Sequence, residues 1–211
     1  MMMTIDNIFN EIRKSWIDKK TRIIAIDGYG GSGKSMLADE LISRDSAISV
    51  VHFDNFYKPD NNCDPYPRLP KFDWQRLEKQ VLKPLHKNIN SKYQRFNWHT
   101  EKLDDWINIS IGGIIIIEGV YTMNSKLLKY YDYKIWVDCP LETRLIRAKE
   151  RDGGIMMDKW LNEWIPAEDN YIKIEKPYLS ADLVIDGSGL YADIAKGEIF
   201  VLDARIIELQ K

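Results

Sequence analysis

The stretch Gly28-Tyr29-Gly30-Gly31-Ser32-Gly33-Lys34-Ser35 fits the pattern G-x-x-x-x-G-K-[ST] of a phosphate-binding loop, or P-loop. The apolar, β-branched run at 22–27 predicts a buried strand before it, and residues 36–42 after it have helical spacing. Such a strand–loop–helix unit directs backbone N–H groups and the positive helix end at one point. A glycine-rich turn that binds nothing is the alternative, and the flanking strand and helix argue against it.

The residues of this loop have distinct predicted tasks. Four glycines in six positions let the backbone curve around a phosphate without clashes of Cβ atoms. The Lys34 ammonium would reach the β- and γ-phosphates of a nucleotide, and the Ser35 hydroxyl would ligate Mg²⁺. We therefore expect ATP and Mg²⁺ as cofactors. The predicted nucleotide-binding set is Gly28, Gly30, Gly31, Ser32, Gly33, Lys34 and Ser35.

Composition narrows the class of protein. The 211 residues are 45% hydrophobic, which suits one α/β domain over 1–211 and is short for two. A net charge of −2 gives no argument for nucleic acid or an anionic membrane as partner. No apolar run is long enough to span a bilayer and no signal-peptide pattern is present. Cys63 and Cys139 form neither a disulfide framework nor a zinc cluster, so we expect a cytoplasmic protein.

Four more strand-like runs predict a parallel sheet. They occupy residues 48–53, 114–119, 133–138 and 181–186. The four consecutive isoleucines at 114–117 lack alternation, which is typical of a central parallel strand buried on both faces. Five strands separated by helical stretches predict a parallel sheet with helices on both faces. Ligands would then bind at the carboxyl ends of the strands.

The helical stretches carry two prolines. Residues 73–86 have a helical pattern that Pro84 should interrupt, and 155–174 one that Pro166 should interrupt. The proline-rich segment 55–72 reads as a loop. The tail from 187 to 211 is ambiguous, with a strand at 199–202 or a helix at 204–209.

Two carboxylates follow predicted strands. Asp54 could accept the proton of an attacking hydroxyl and help to hold Mg²⁺, although a turn-forming aspartate is the alternative. Glu118 ends the isoleucine strand, where a charge needs a partner such as Mg²⁺ or its water. Ser35, Asp54 and Glu118 are therefore the predicted metal ligands.

Arg144, Arg147 and Arg151 share one face of a predicted helix at 140–151. Three cations there would neutralise charge on a transferring phosphoryl group, and the glycine pair that follows could act as a hinge. The alternative is a solvated basic face paired with neighbouring glutamates.

These segments together resemble the uridine kinase/phosphoribulokinase group of P-loop kinases. The resemblance rests on the P-loop, Asp54-Asn55-Phe56-Tyr57, Ile116-Ile117-Glu118-Gly119 and Thr143-Arg144-Leu145-Ile146-Arg147, in matching order over about 20–187. It implies a three-layer P-loop NTPase sandwich with a five-stranded parallel sheet and a pair of lid helices within 140–176. It also implies that Asp54 is the catalytic base and that Lys34, Arg144, Arg147 and Arg151 act on the phosphates.

The resemblance further places an acceptor site in the insertion 55–108. Asp73 matches the family aspartate that holds ribose hydroxyls, within Phe72-Asp73-Trp74 in place of the usual His-Pro-Asp-Ala-Phe. The family hairpin with a Tyr and a His corresponds to Phe96-Asn97-Trp98-His99, with Phe where Tyr is expected. The predicted substrate-binding set is Tyr57, Asp73, Tyr93, Arg95 and His99. A packed subdomain core is the alternative for these aromatic residues.

The expected activity is ATP-dependent phosphorylation of a small-molecule hydroxyl, the 5′-OH of a nucleoside such as uridine. Pantothenate, glycerate, phosphoribulose and nicotinamide riboside are alternative acceptors on related scaffolds. A nucleotide-binding switch without an acceptor is a second alternative, and the aromatic-rich insertion at 55–108 argues against it. A homo-oligomer is left open.

Overall fold

The computed structural model describes residues 1–14, 20–58, 72–205 and 207. Its strands are β1 (Met2–Thr4), β2 (Thr21–Gly28), β3 (Ser49–His52), β4 (Ser91–Asn97), β5 (Lys102–Ile109), β6 (Gly113–Glu118), β7 (Tyr133–Asp138), β8 (Leu183–Asp186) and β9 (Glu198–Phe200). Its α-helices are α1 (Ile5–Lys14), α2 (Lys34–Arg44), α3 (Trp74–Leu77), α4 (Lys83–His86), α5 (Leu141–Asp152), α6 (Met157–Lys159) and α7 (Ile165–Glu175).

The centre of the molecule is the five-stranded sheet β3-β6-β2-β7-β8, in which every pair of neighbours is parallel. The α/β fold with a five-stranded parallel sheet is thereby confirmed. Successive side chains of a strand point to opposite faces. Ile114 and Ile116 accordingly join the core beneath α1 and α2, whereas Ile115 and Ile117 join the core on the other face. Burial on both faces explains the uninterrupted isoleucine run.

The expected interruptions at Pro84 and Pro166 take the form of π-helical turns and do not end the helical path of the chain. Pro84 and Pro166 lie in the first turn of α4 and α7, and a π-helical turn, Glu78–Leu82 or Trp160–Trp164, directly precedes each helix. Proline lacks an N–H and its ring clashes with the carbonyl four residues earlier in an α-helix. A π-helical turn shifts the hydrogen-bonding pattern by one residue, so that the chain continues through the proline.

The tail contains parts of both predicted elements. β9 pairs antiparallel with β1 at the amino terminus, a pairing that no sequence pattern indicated. Residues 204, 205 and 207 are helical. The prolines of the predicted loop from 59 to 71 and Cys63 lie outside the described residues. No helix in the described ranges is both long and apolar enough to cross a membrane.

Strands β4 and β5 form a separate antiparallel hairpin within the predicted acceptor insertion. The strand β4 packs on the 3₁₀ turn Phe53–Phe56 that follows β3. The rings of Phe56 and Tyr93, with centroids 5.0 Å apart and planes tilted by 31°, form part of this contact. The hairpin therefore lies against the carboxyl end of the sheet, where the sequence predicts the ligand site.

The end of β8 is packed directly against the P-loop. A Cβ atom at Gly187 would overlap the carbonyl oxygen of Ser32 and lie 2.7 Å from a methyl group of Val137. The P-loop can take its path over the sheet only because position 187 has no side chain. Gly187 thus allows the end of β8 to lie in direct contact with the P-loop.

We predict that Gly187→Ala lowers the free energy of unfolding by about 2 kcal/mol or more, because backbone atoms must move to admit the methyl group. Urea denaturation measures the loss. Gly153→Asn is the control, since Gly153 has φ 66° and open space around its Cβ position, and asparagine tolerates this backbone conformation. Equal losses in the two variants would contradict the prediction.

Candidate active site

The P-loop joins the end of β2 to the start of α2. Gly31 and Gly33 have φ angles of 74° and 103°, which other residues rarely adopt, and α2 begins at Lys34. The Lys34 ammonium is buried and donates a hydrogen bond to the carbonyl oxygen of Tyr29 at 2.7 Å. The hydroxyl of Ser32 is buried without a hydrogen-bond partner. An unpartnered donor inside a glycine loop fits an anionic ligand such as a phosphate.

A pocket of about 230 Å³ opens beside this loop. It is lined by Gly31, Gly33, Lys34, Ser35, Met36, Arg147, Ala148 and Arg151. The P-loop and the arginine-bearing helix α5 therefore face the same space.

Glu118, at the carboxyl end of β6, links the P-loop to the neighbouring strand. Its Oε1 accepts a hydrogen bond from the Ser35 hydroxyl at 3.1 Å, and its Oε2 lies 2.8 Å from Nδ1 of His52. Burial alone would raise the pKa of Glu118, but the hydrogen bond with His52 and the charge of Lys34 lower it below its usual value. Glu118 is thus held as a carboxylate next to Ser35.

Asp54 lies on the 3₁₀ turn just beyond β3 and stays accessible to solvent at the rim of the site. Loss of hydration against the surrounding protein and the nearby charge of Glu118 raise its pKa. The charges of Lys34, His52 and Arg151 act on it in the opposite direction. The site therefore brings Asp54 within electrostatic range of the P-loop lysine and of the last arginine of α5.

The three arginines of α5 occupy different surroundings. Arg144 is buried, lies 3.4 Å from Glu168 and stacks at 3.9 Å over the ring of Tyr29. Arg147 donates to backbone carbonyls of Gly31, Gly187 and Ser188 at 2.7–3.1 Å. Arg151 is exposed, lines the pocket and lies over the ring of Trp160.

The sequence predicts the same role for all three arginines, contact with the phosphates, whereas their surroundings in the fold differ. The tip of the P-loop sits directly on α5, and a Cβ atom at Gly31 would lie 3.1 Å from the carbonyl oxygen of Arg144. The first arginine is therefore covered by the P-loop, and the second donates to one carbonyl of the P-loop and to two carbonyls that follow β8. A solvated basic face does not describe Arg144 either, because its side chain is only 4% exposed.

The predicted acceptor residues divide into two groups. Asp73 caps α3 by accepting from the Arg76 N–H, and Tyr93 is buried with its hydroxyl 3.1 Å from the side-chain amide of Asn55. Tyr57 is half-buried, and its ring centroid lies 4.7 Å from that of Trp98. These residues surround the turn that carries Asp54.

Arg95 and His99 lie on the outside of the hairpin. Arg95 is exposed and pairs with Asp105 at 3.2 Å, and His99 is exposed in the turn between β4 and β5. The packed-core alternative therefore applies to Tyr93 but not to this pair.

Four polar residues at the site were not among the predicted site residues. Arg76 and Glu168 bind backbone groups of distant segments, His52 pairs with Glu118, and Asp27 lies directly before the P-loop. The buried Asp27 carboxylate accepts hydrogen bonds from four groups, and burial raises its pKa to about 6. These groups are the N–H of Gly28, Tyr121 and Met123 and the hydroxyl of Tyr171. Only Asp27 had a local hint, as a charge that ends an apolar strand.

Glu168 of α7 reaches across to the P-loop. Its Oε2 accepts the N–H of Gly30 at 3.1 Å and lies near the guanidinium of Arg144. Burial raises the pKa of Glu168 to about 7, although Lys34, the Gly30 N–H and Arg144 oppose the shift. The contact between α7 and the P-loop therefore includes a carboxyl group that titrates near neutral pH.

We predict that Glu168 makes stability fall as the pH rises from 4.5 to 7. In this range the unfolded chain has released this proton and the folded protein still holds it. The free energy of unfolding of Glu168→Gln minus that of the wild type should therefore rise by about 2–3 kcal/mol from pH 4.5 to pH 8. Urea denaturation at several pH values measures this difference.

Glu150→Gln, which removes an exposed carboxylate of α5, is the control for that series. A difference between Glu168→Gln and the wild type that does not change with pH would contradict the prediction.

Comparisons with known proteins agree with the geometry. A sequence model of the AAA domain family matches residues 24–171. The uridine kinase of Lactobacillus helveticus is 30% identical over 191 residues, covering 81% of this chain and 89% of that protein. The uridine kinase of Clostridium novyi is 31% identical over 186 residues, covering 79% and 88%.

A solved structure of similar fold comes from Bacillus stearothermophilus and is described as a possible uridine kinase. It superposes with a TM-score of 0.65 and 23% identity over 85% of this chain and 96% of that one. At this identity the match supports the fold, while the two sequence relatives carry the family assignment. The chain belongs to the AAA domain family by its sequence model and to the uridine kinase group of P-loop kinases by its relatives; members of that group are phosphotransferases with an alcohol group as acceptor.

Proposed function

We propose that this protein transfers the γ-phosphate of ATP to the 5′-hydroxyl of a nucleoside, with uridine as the first candidate. The observation that carries the proposal is the position of Asp54. Its carboxyl group lies on the turn between the P-loop side of the sheet and the β4–β5 hairpin, in the electrostatic range of Lys34 and Arg151. The names of the relatives support uridine as the acceptor.

The P-loop would hold the phosphates of the nucleotide. The amides of the loop, the Lys34 ammonium and the unpartnered Ser32 hydroxyl are donors suited to phosphate oxygens. Lys34 would exchange its bond with the Tyr29 carbonyl for a phosphate oxygen. Arg147 would act through the loop, because its guanidinium already holds the carbonyl of Gly31.

A magnesium ion fits the oxygen donors at the carboxyl end of β6. The described residues contain no group of three or more His, Cys, Asp and Glu side chains suited to a metal. Mg²⁺ commonly binds through one or two carboxylates together with substrate phosphates, so a magnesium site does not require such a group. Ser35 and Glu118 would hold the ion, with Asp54 beside it. The ion would neutralise phosphate charge during transfer.

The chemistry requires one proton acceptor. The substrate hydroxyl oxygen forms a bond to the γ-phosphorus while the bond from that phosphorus to the β–γ bridging oxygen breaks and ADP leaves. Asp54 takes the hydroxyl proton. The pKa of Asp54 is raised towards neutral pH, and its carboxylate is therefore a stronger base than that of an unperturbed aspartate.

The acceptor site has a distinctive aromatic lining. Tyr57 contacts both Phe96 and Trp98, and Trp98 is 52% exposed. An open aromatic face suits a planar base, which favours a nucleoside over glycerate or pantothenate. Nicotinamide riboside shares this feature and is the second candidate.

We predict that the wild type phosphorylates at least one nucleoside in a panel of uridine, cytidine, nicotinamide riboside, glycerate and pantothenate, with ATP and Mg²⁺. Asp54→Asn should lower the turnover number by about 10²–10⁴-fold, because the hydroxyl keeps its proton. Lys34→Ala should remove most transfer and weaken ATP binding. Radiolabelled phosphate transfer measures both effects.

Two outcomes of that panel would contradict the proposal. ATP hydrolysis with every acceptor and no phosphorylated product would favour a nucleotide-binding switch. Near-wild-type turnover of Asp54→Asn would remove Asp54 as the base.

We also predict that Arg151 is the arginine of α5 that acts on the transferring phosphoryl group. Arg151→Met should lower the turnover number by about 10²–10³-fold with little change in stability, since the exposed side chain lines the pocket. Lys149→Met is the matched control, because it removes another exposed positive charge from the same helix. Equal turnover of the two variants would show that Arg151 makes no such contribution.

A further inference from the structure

Arg76 of α3 connects two parts of the site that are far apart in sequence. Its side chain is only 10% exposed, and its guanidinium lies 4.7 Å over the ring of Phe56. Burial lowers the pKa of Arg76, and the nearby Asp73 carboxylate opposes that shift. Removing a charge from water is costly, so hydrogen bonds and ion pairs must offset the burial of this guanidinium beside the Asp54 turn.

The turn that carries Asp54 needs this guanidinium for its backbone hydrogen bonds. The Asp54 carbonyl accepts from the N–H of Tyr57, and the Phe56 carbonyl accepts from the N–H of Asp73. The carbonyls of Asn55 and Tyr57 accept from Nη2 of Arg76 at 3.0 and 3.4 Å. Arg76 therefore supplies the donor for the Asn55 carbonyl within this turn and for the carbonyl of Tyr57, which directly follows it.

The same guanidinium also holds the hairpin. Its Nη1 donates to the carbonyl of Gln94 in β4. The pairing of β4 with β5 is irregular just beyond this point, between Gln94 and Phe96. Gln94 lies between Tyr93 and Arg95, two of the predicted acceptor contacts.

The planar fork of an arginine suits this task. Nη1 and Nη2 point in fixed directions, so one side chain fixes the separation between the Asp54 turn and β4. The Nε side faces the Asp73 carboxylate, with Nε 3.6 Å from Oδ2. A lysine could satisfy one of these carbonyls but could not span all of them.

We propose that Arg76 is a positioning residue that sets the distance between Asp54 and the acceptor hydroxyl by tying the base-bearing turn to the acceptor hairpin. This inference rests on the proposed function, because it requires an alcohol bound at the hairpin. Misplacement of reacting groups by about 1 Å can cost 10²-fold in rate. Hydrolysis of ATP by water does not use the hairpin and should not depend on this link.

The test compares phosphoryl transfer with acceptor-free ATP hydrolysis in Arg76→Met and Arg76→Lys. For Arg76→Met we expect the turnover number for transfer to fall by about 100-fold, with hydrolysis and the KM for ATP within about twofold of the wild type. Arg76→Lys should recover part of the transfer rate. Arg13→Met, which removes an exposed arginine of α1 paired with Asp45, is the control and should change neither rate.

A double-mutant cycle tests whether Arg76 acts through Asp54. In the Asp54→Asn background, Arg76→Met should lower transfer by less than about threefold, because the group that it positions is already inactive. An undiminished 100-fold effect there would contradict the proposal. If Arg76→Met does not fold, Arg76→Lys alone decides, through a fall of about fivefold or more in its ratio of transfer to hydrolysis.

Two further outcomes would overturn the coupling. An unchanged ratio of transfer to hydrolysis in the Arg76 variants would show that the link has no role in positioning. A parallel fall of both rates would show a structural role only. A wild type that transfers phosphate to no alcohol would instead contradict the proposed function, and this inference with it.

Discussion

Four hydrogen bonds converge on the buried carboxylate of Asp27, and they determine where the P-loop begins. They come from the loop itself, from the segment that follows β6 and from α7. A buried carboxylate without such donors would be too costly to keep, so these three segments must approach one another wherever Asp27 is folded into the sheet. Glu168 and Arg147 then hold the tip of the loop from the other side.

The P-loop is thus held on both sides by contacts within the protein itself. Helix α5 contributes Arg144 and Arg147 to this framework and leaves Arg151 at the pocket. One helix face therefore combines support of the loop with charge for the ligand. This arrangement suits phosphoryl transfer, because positioning and charge neutralisation account for most of the rate enhancement of that reaction.

The acceptor side is built on the same principle. The turn that carries Asp54 packs on β4 through Phe56 and Tyr93 and is hydrogen-bonded to it through Asn55 and Arg76. These contacts therefore fix the predicted base, Asp54, relative to Tyr93 in β4. An open aromatic face formed by Tyr57 and Trp98 remains for the ligand.

The sequence by itself determined the features that depend on near neighbours. The P-loop between its strand and helix, the isoleucine strand and the carboxylates at strand ends are local patterns, and the parallel sheet follows from their order. Tertiary structure alone decided how the three arginines divide, why Pro84 and Pro166 stay within helices, and which groups Asp27, Arg76 and Glu168 bind. These outcomes depend on which backbone N–H and carbonyl groups from distant segments come within hydrogen-bonding distance, and no spacing along the chain encodes that.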